Sequence, residues 1–214
     1  VLDDSDQLVA ISALHALSQV YDAEADRVLS GLLSDPRPFM REHAAAALGV
    51  RLPRFDSIGR LIAHVAEGGF CSMLATRTLE KWTATSPDHI AIAAESALLG
   101  VREPAARARI VEVLGLVRGR FAVRPLITLA TDAAEPEAVR AAAVSALGQR
   151  QGHPEIVAVL TSLVRGDDLL SDVARLALVD LEPHPAPPRT EQLTVAQLFL
   201  HADIDPNLEQ AGRG

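Results

Sequence analysis

The side chains in this chain that could do chemistry are scattered. His15, His43, His64, His89, His153, His184 and His201 include no pair at the i, i+4 spacing of a helical metal site, and there is no HExxH motif and no Cys-His cluster. Zinc ligands must converge on one ion, so a metal centre has no support here. His15 and His43 fall inside helical stretches and are expected to be structural. Cys71 is the single cysteine and can form no disulfide within the chain. Beside a helix start its thiol would ionise more readily, but the better reading is a small buried core residue. No GxSxG elbow arms a serine, and no GxGxxG or Walker A loop cradles a phosphate; the AGRG at the C-terminus is too short for one. The sequence therefore assigns no catalytic residue, no cofactor and no metal.

What it does carry is a repeat. Residues 137–148 read EAVRAAAVSALG, and variants of that string recur as MREHAAAALG at 40–49, RARIVEVLG at 107–115 and LSDVARLAL at 170–178. Aligning on the leucine gives Leu17, Leu48, Leu79, Leu114, Leu147 and Leu178, with spacings of 31, 31, 35, 33 and 31 residues. Four residues before each stands Ala13, Ala44, Ala75, Ile110, Ala143 or Ala174. Helical patterning at such a period is the signature of an α-solenoid, in which each unit buries its apolar face against its neighbours.

Composition agrees. Of 214 residues 49% are apolar but only 3% aromatic, so the core must be Ala, Leu, Val and Ile, which suits closely stacked helices. The net charge of −8 argues against nucleic acid, which is held mainly through Lys and Arg on phosphates, and against an anionic membrane surface. No apolar run is long enough to cross a membrane, and the opening VLDDSDQ is acidic where a signal peptide would be basic. The expectation is a cytoplasmic protein. Because the chain begins with Val1, residues upstream, and a targeting segment among them, stay open.

The apolar spacing predicts helix pairs over 6–20 and 22–33, 37–50 and 55–66, 70–84 and 86–99, 103–118 and 121–133, and 135–149 and 154–165. A sixth unit supplies only its first helix, over 167–181. The third unit is divergent, with Ser72 where the second, fourth and fifth units have Arg and with the only tryptophan, Trp82. Acids and prolines gather at helix starts, and Arg51, Lys81, Arg118 and Arg150 at first-helix ends, where cations complement the helix dipole.

The pattern resembles HEAT repeats of the short bacterial kind, D-P-x-V-R-x-x-A-x-x-A-L-G. Asp35, Pro36, Arg41, Ala44, Leu48 and Gly49 carry it in the second unit, and Pro136, Val139, Arg140, Ala143, Leu147 and Gly148 in the fifth. The resemblance covers residues 6–181 and implies an all-α, right-handed α-solenoid of five to six helix hairpins. It also implies first helices on the convex side and second helices lining a concave partner-binding groove. Arg60, His64, Glu95, Thr128, Thr131, Ser162 and Arg165 project from the second helices and are the candidate contact residues. HEAT-like DNA glycosylases share this architecture but would need a basic, aromatic-bearing groove; HEAT-type bilin lyases share it too, and nothing here marks a chromophore site.

The solenoid is assigned to residues 1–182. Four prolines fall in 182–189, so residues 183–190 form a stiff linker. In the extension 191–214, LTVAQLFL is apolar almost throughout and suits either a buried strand or an amphipathic helix opened by Thr194 and Gln197. Residues 193–214 resemble the opening strand and glycine-bearing loop of nucleotide-sugar glycosyltransferases with two Rossmann-like domains. A lone strand is not stable, so the expectation is that the chain is cut inside a further domain. Two functions follow: a non-catalytic scaffold that binds a protein partner or its own downstream domain, or the N-terminal part of a glycosyltransferase whose catalytic domain lies beyond residue 214.

Overall fold

Short helices dominate because Ala and Leu favour them and because each start and stop is punctuated. The computed structural model describes residues 7–166 and 168–181, with Arg120 by its backbone alone, and contains eleven α-helices and no strand among them. The helices are α1 (Gln7–Ser18), α2 (Ala23–Leu32), α3 (Pro38–Leu48), α4 (Phe55–Glu67), α5 (Gly69–Trp82), α6 (Pro87–Gly100), α7 (Pro104–Leu116), α8 (Arg120–Thr131), α9 (Glu137–Gly148), α10 (Pro154–Leu163) and α11 (Leu169–Leu181). Proline occupies the first helical position of α3, α6, α7 and α10, where its missing N–H costs no bond. Asp22 accepts from the Ala25 amide to cap α2, and Glu103 accepts from the Ala105 and Ala106 amides to cap α7. Predicted and observed helices agree to within a few residues. All described residues lie in one unit, Val1–Glu182; the expected linker 183–190 and extension 191–214 lie outside them.

Helices of ten to fourteen residues are marginal alone, and stacking stabilises them. The first helices α1, α3, α5, α7, α9 and α11 pack in sequence as one layer, and the second helices α2, α4, α6, α8 and α10 as the other. Each unit thus contacts mainly its neighbours, which makes the array an α-solenoid of helix hairpins. The leucine ladder runs through it. Leu48, Leu79, Leu114 and Leu147 are buried, whereas Leu17 and Leu178, in the first and last units, are only partly covered.

Three of the ladder leucines, Leu48, Leu114 and Leu147, are followed by a glycine that sets the spacing. A Cβ on Gly148 would lie 2.7 Å from both Cα and Cβ of Ala177 on α11, and one on Gly115 would lie 3.0 Å from the Ala146 Cβ. In each case the neighbour stands one residue before the next ladder leucine, so the first helices meet at a fixed register.

Two rows of side chains close the helix ends of the preceding unit. The first row stands seven residues before the ladder leucine. Arg41 donates to the Asp35 and Pro36 carbonyls, Arg107 to Leu98 and Val101, and Arg140 to Ala130. In the same register Ser72 donates to Val65, and Ser171 to Val164 and Gly166. These carbonyls lie at or just beyond the ends of the second helices, where intrahelical donors run out. The second row stands three residues after the leucine. Arg51 is buried and donates to the Leu17, Ser18 and Val20 carbonyls at the end of α1; Arg150 is buried and donates to Leu114 and Gly115 at the end of α7. The helix-dipole argument places these cations at the ends of their own helices. The structure corrects it: Arg51 and Arg150 serve the helix of the unit before, while Lys81 and Arg118 are exposed.

Ser72 is too short to do all that an arginine does, and the structure compensates from further along the chain. Arg109 on α7 reaches back to donate to both the Val65 and Ala66 carbonyls at the end of α4, bridging over the third unit. Gly68, at φ 82°, leaves room for it: a Cβ there would stand 3.3 Å from the Arg109 Cζ. Accordingly α7 lies against α4 as well as α5.

Candidate partner-binding groove

The second-helix layer holds the seven residues singled out from the sequence, and the structure distributes them unevenly. Glu95 on α6 and Thr128 on α8 share one groove of about 740 Å3, together with Ser96, Leu98, Leu99, Arg107, Arg124, Pro125, Leu129 and Glu135. Leu99 is 81% exposed there, although its neighbour Leu98 is buried in the core. Pro125 interrupts α8 internally and contributes an apolar ring in place of a backbone N–H. Arg107 and Glu135 form an ion pair that is largely shielded from solvent, and Arg107 also caps α6 as described. The pair therefore serves as a fixed edge of the groove, while Glu95 and Arg124 are exposed charges beside the apolar strip.

Thr131 is exposed on α8, its hydroxyl bonded back to the Ile127 and Thr128 carbonyls; Thr128 bonds likewise to Arg124. Ser162 is exposed on α10 and bonds to the Val159 carbonyl, and Arg165 is exposed just after that helix. Arg60 lies away from the α6/α8 groove, in a smaller recess between α4 and the loop that follows α2; it pairs with Asp56 and donates to Ser34. His64 borders that recess but is buried, with Nε2 against the Leu33 carbonyl and Nδ1 3.0 Å from Glu67 Oε2. Both ring nitrogens are thus used within the chain, closing the end of α2 as the arginines close other helices.

Sequence reasoning did not single out Leu99, Arg124, Pro125 or Leu129. A signal for two of them was present: Leu98-Leu99 cannot both face inward on one helix, and a proline inside α8 must lie where no neighbour needs its N–H. The thiol of Cys71 is half-buried rather than enclosed in the core, and burial pushes its pKa up, opposite in direction to activation at a helix start. Among the described residues no group of three or more His, Cys, Asp or Glu converges as a metal site. No described helix is long and apolar enough to cross a membrane.

Comparison with known proteins bears on the architecture. No curated protein matches the chain. The solved structure of human deoxyhypusine hydroxylase in complex with glycerol is similar at 20% identity, covering 85% of this chain and 82% of that one with a TM-score of 0.45. Residues 93–180, which span most of α6 and run through α11, match the family model described as HEAT repeats.

Proposed function

We propose that residues 7–181 act as a non-catalytic HEAT-type scaffold that binds a protein partner through the second-helix layer, anchored in the groove between α6 and α8. The supporting observation is Leu99: a large apolar side chain left 81% exposed, beside Pro125 and Leu129, between the exposed charges of Glu95 and Arg124. An apolar anchor within a polar rim is the usual make-up of a protein-binding hot spot. Thr128, Thr131, Ser162, Arg165 and Arg60 extend the same layer outward, and His64 supports it from beneath. The charge of −8 favours a protein partner over nucleic acid or an anionic membrane, and a cytoplasmic setting fits the same composition.

A photo-crosslinking residue placed at position 99 of the protein in its native cells tests this. One discrete adduct is expected from position 99, absent from position 112 on the first-helix layer and lost on Arg124→Glu. Equal adducts from both positions, or none from 99, would overturn the reading.

The resemblance of residues 193–214 to the start of a glycosyltransferase favours a second reading, in which this scaffold is the N-terminal region of a sugar-nucleotide enzyme. Under it, residues 1–214 alone turn over no sugar nucleotide, and a longer natural chain does. Reproducible turnover by purified residues 1–214 would overturn the non-catalytic scaffold.

A further inference from the structure

Arg51 and Arg150 occupy the same place in the repeat, three residues after the ladder leucine, yet their surroundings are opposite. The first unit gives Arg51 a full set of partners. Tyr21 lies under the guanidinium at 5.4 Å, the Asp22 carbonyl accepts from Nη2 at 3.2 Å, and the Asp26 carboxylate accepts from Nε. Counting from Leu17 to Leu114, the corresponding residues around Arg150 are Arg118, Gly119 and Val123. A second cation replaces the aromatic ring, and no acid replaces Asp26. Arg150 is only 8% exposed; among the described residues its Nη2 alone is hydrogen-bonded, and its Nε is buried without a partner. That orphan is the same atom that Asp26 satisfies on Arg51.

The helix start differs in the same sense. Asp22 caps α2 through the Ala25 amide, whereas α8 begins at Gly119 with no side-chain cap. The first-turn amides of α8 therefore add to the positive potential. Burial, and then Arg118, push the Arg150 guanidinium below its ordinary pKa, as expected for a buried cation lacking a counter-ion. Arg118, Gly119 and Arg150 line one polar recess of about 610 Å3, with Gln149, Gln151, His153 and Asp180. Asp180 is exposed and pairs with neither guanidinium among the described residues, and His153 is engaged with Glu155 at 3.1 Å.

We propose that this recess binds a carboxylate of an acidic polypeptide segment, which supplies to Arg118 and Arg150 the group that Asp26 supplies to Arg51. The carboxylate is the chemistry the repeat itself uses at this position. The recess shares no residue with the α6/α8 groove, so either site can fail while the other stands.

The test titrates the 1–214 chain with acetyl-tetraglutamate amide at constant ionic strength, following the Nε–H resonances of Arg118 and Arg150. Both are expected to shift saturably. Arg118→Gln removes an exposed cation that has no hydrogen-bond or ion-pair partner among the described residues, so it is expected to leave the unfolding midpoint unchanged and to weaken peptide binding by about five-fold or more. Val123→Asp restores the acid of the first unit and is expected to abolish binding; if that variant does not fold, Arg118→Gln decides. Succinate at equal carboxylate concentration, and inorganic phosphate, are expected to bind more weakly than the peptide. Shifts no larger than sodium chloride produces, unchanged affinity in Arg118→Gln, or tighter binding of succinate or phosphate would each overturn the proposal.

Discussion

Trp82 donates its indole Nε1–H to the main-chain carbonyl of Arg51 at 2.9 Å, across 31 residues and one repeat boundary. Arg51 in turn donates to the carbonyl of Val20, and Val20, Arg51 and Trp82 all stand three residues after their ladder leucines. The first three units are therefore joined by a relay in which each unit satisfies the helix end of the one before. Trp82 holds this place in the third unit, which has Ser72 and Glu80 where the second, fourth and fifth units have arginine and glycine.

Replacing Trp82 with Phe leaves the Arg51 carbonyl buried and unpaired, which is expected to cost about 1–3 kcal/mol. Urea denaturation followed by circular dichroism measures it. A loss below about 0.5 kcal/mol, the bottom of the range for one hydrogen bond, would mean that water replaces the indole.

Leu147 is fully buried, so Leu147→Ala is expected to cost about 2–5 kcal/mol. Leu178 occupies the same register but is partly exposed in the last unit, and Leu178→Ala is expected to cost less than half as much. Equal losses would show that α11 is covered as completely as the interior helices.

Gly148→Ala places a methyl 2.7 Å from the backbone of Ala177, where no side chain can rotate away. The helices α9 and α11 must separate, at an expected cost of about 1–3 kcal/mol. Gly31 lies on the exposed side of α2 with nothing within 4 Å of an added Cβ, and Gly31→Ala is expected to stabilise by about 0.5–1 kcal/mol. Opposite signs from the same substitution, read by thermal denaturation, distinguish close approach from conformational need.

Acid stability has an identified contributor. The hydrogen bond from the Arg37 side chain lowers the Asp35 pKa to about 2, below the roughly 3.9 of an unfolded aspartate. A depressed folded pKa gives stability that is complete above the unfolded value and is lost as pH falls through the folded one. Between about pH 4 and pH 2 the wild type is therefore expected to lose more stability than Asp35→Asn, with melting temperatures across that window as the measurement. Parallel curves would show that the Arg37 pair is absent in solution.

The helices were legible because they rest on short-range signals. Leucine and alanine periodicity, proline at Pro38, Pro87, Pro104 and Pro154, and acids at Asp22 and Glu103 act within a turn or two of the chain. The candidate site was legible only in part. Glu95 and Thr128 do share a groove, but the exposed apolar side chain in it, Leu99, was not singled out. His64 shows the opposite failure, since its polar ring is buried by a carbonyl from the preceding unit that no local pattern announces.

The sequence by itself determined the period, the hairpins and the residues of the ladder, since a stacked array repeats its core requirement at every unit. Only the tertiary structure decided which carbonyl each arginine closes, that Arg109 reaches over the third unit to α4, and that Arg150 is left without the acid that Arg51 enjoys. Those outcomes depend on how far one unit advances over the next. That distance is set by contacts such as Gly148 on Ala177, between residues remote in the chain.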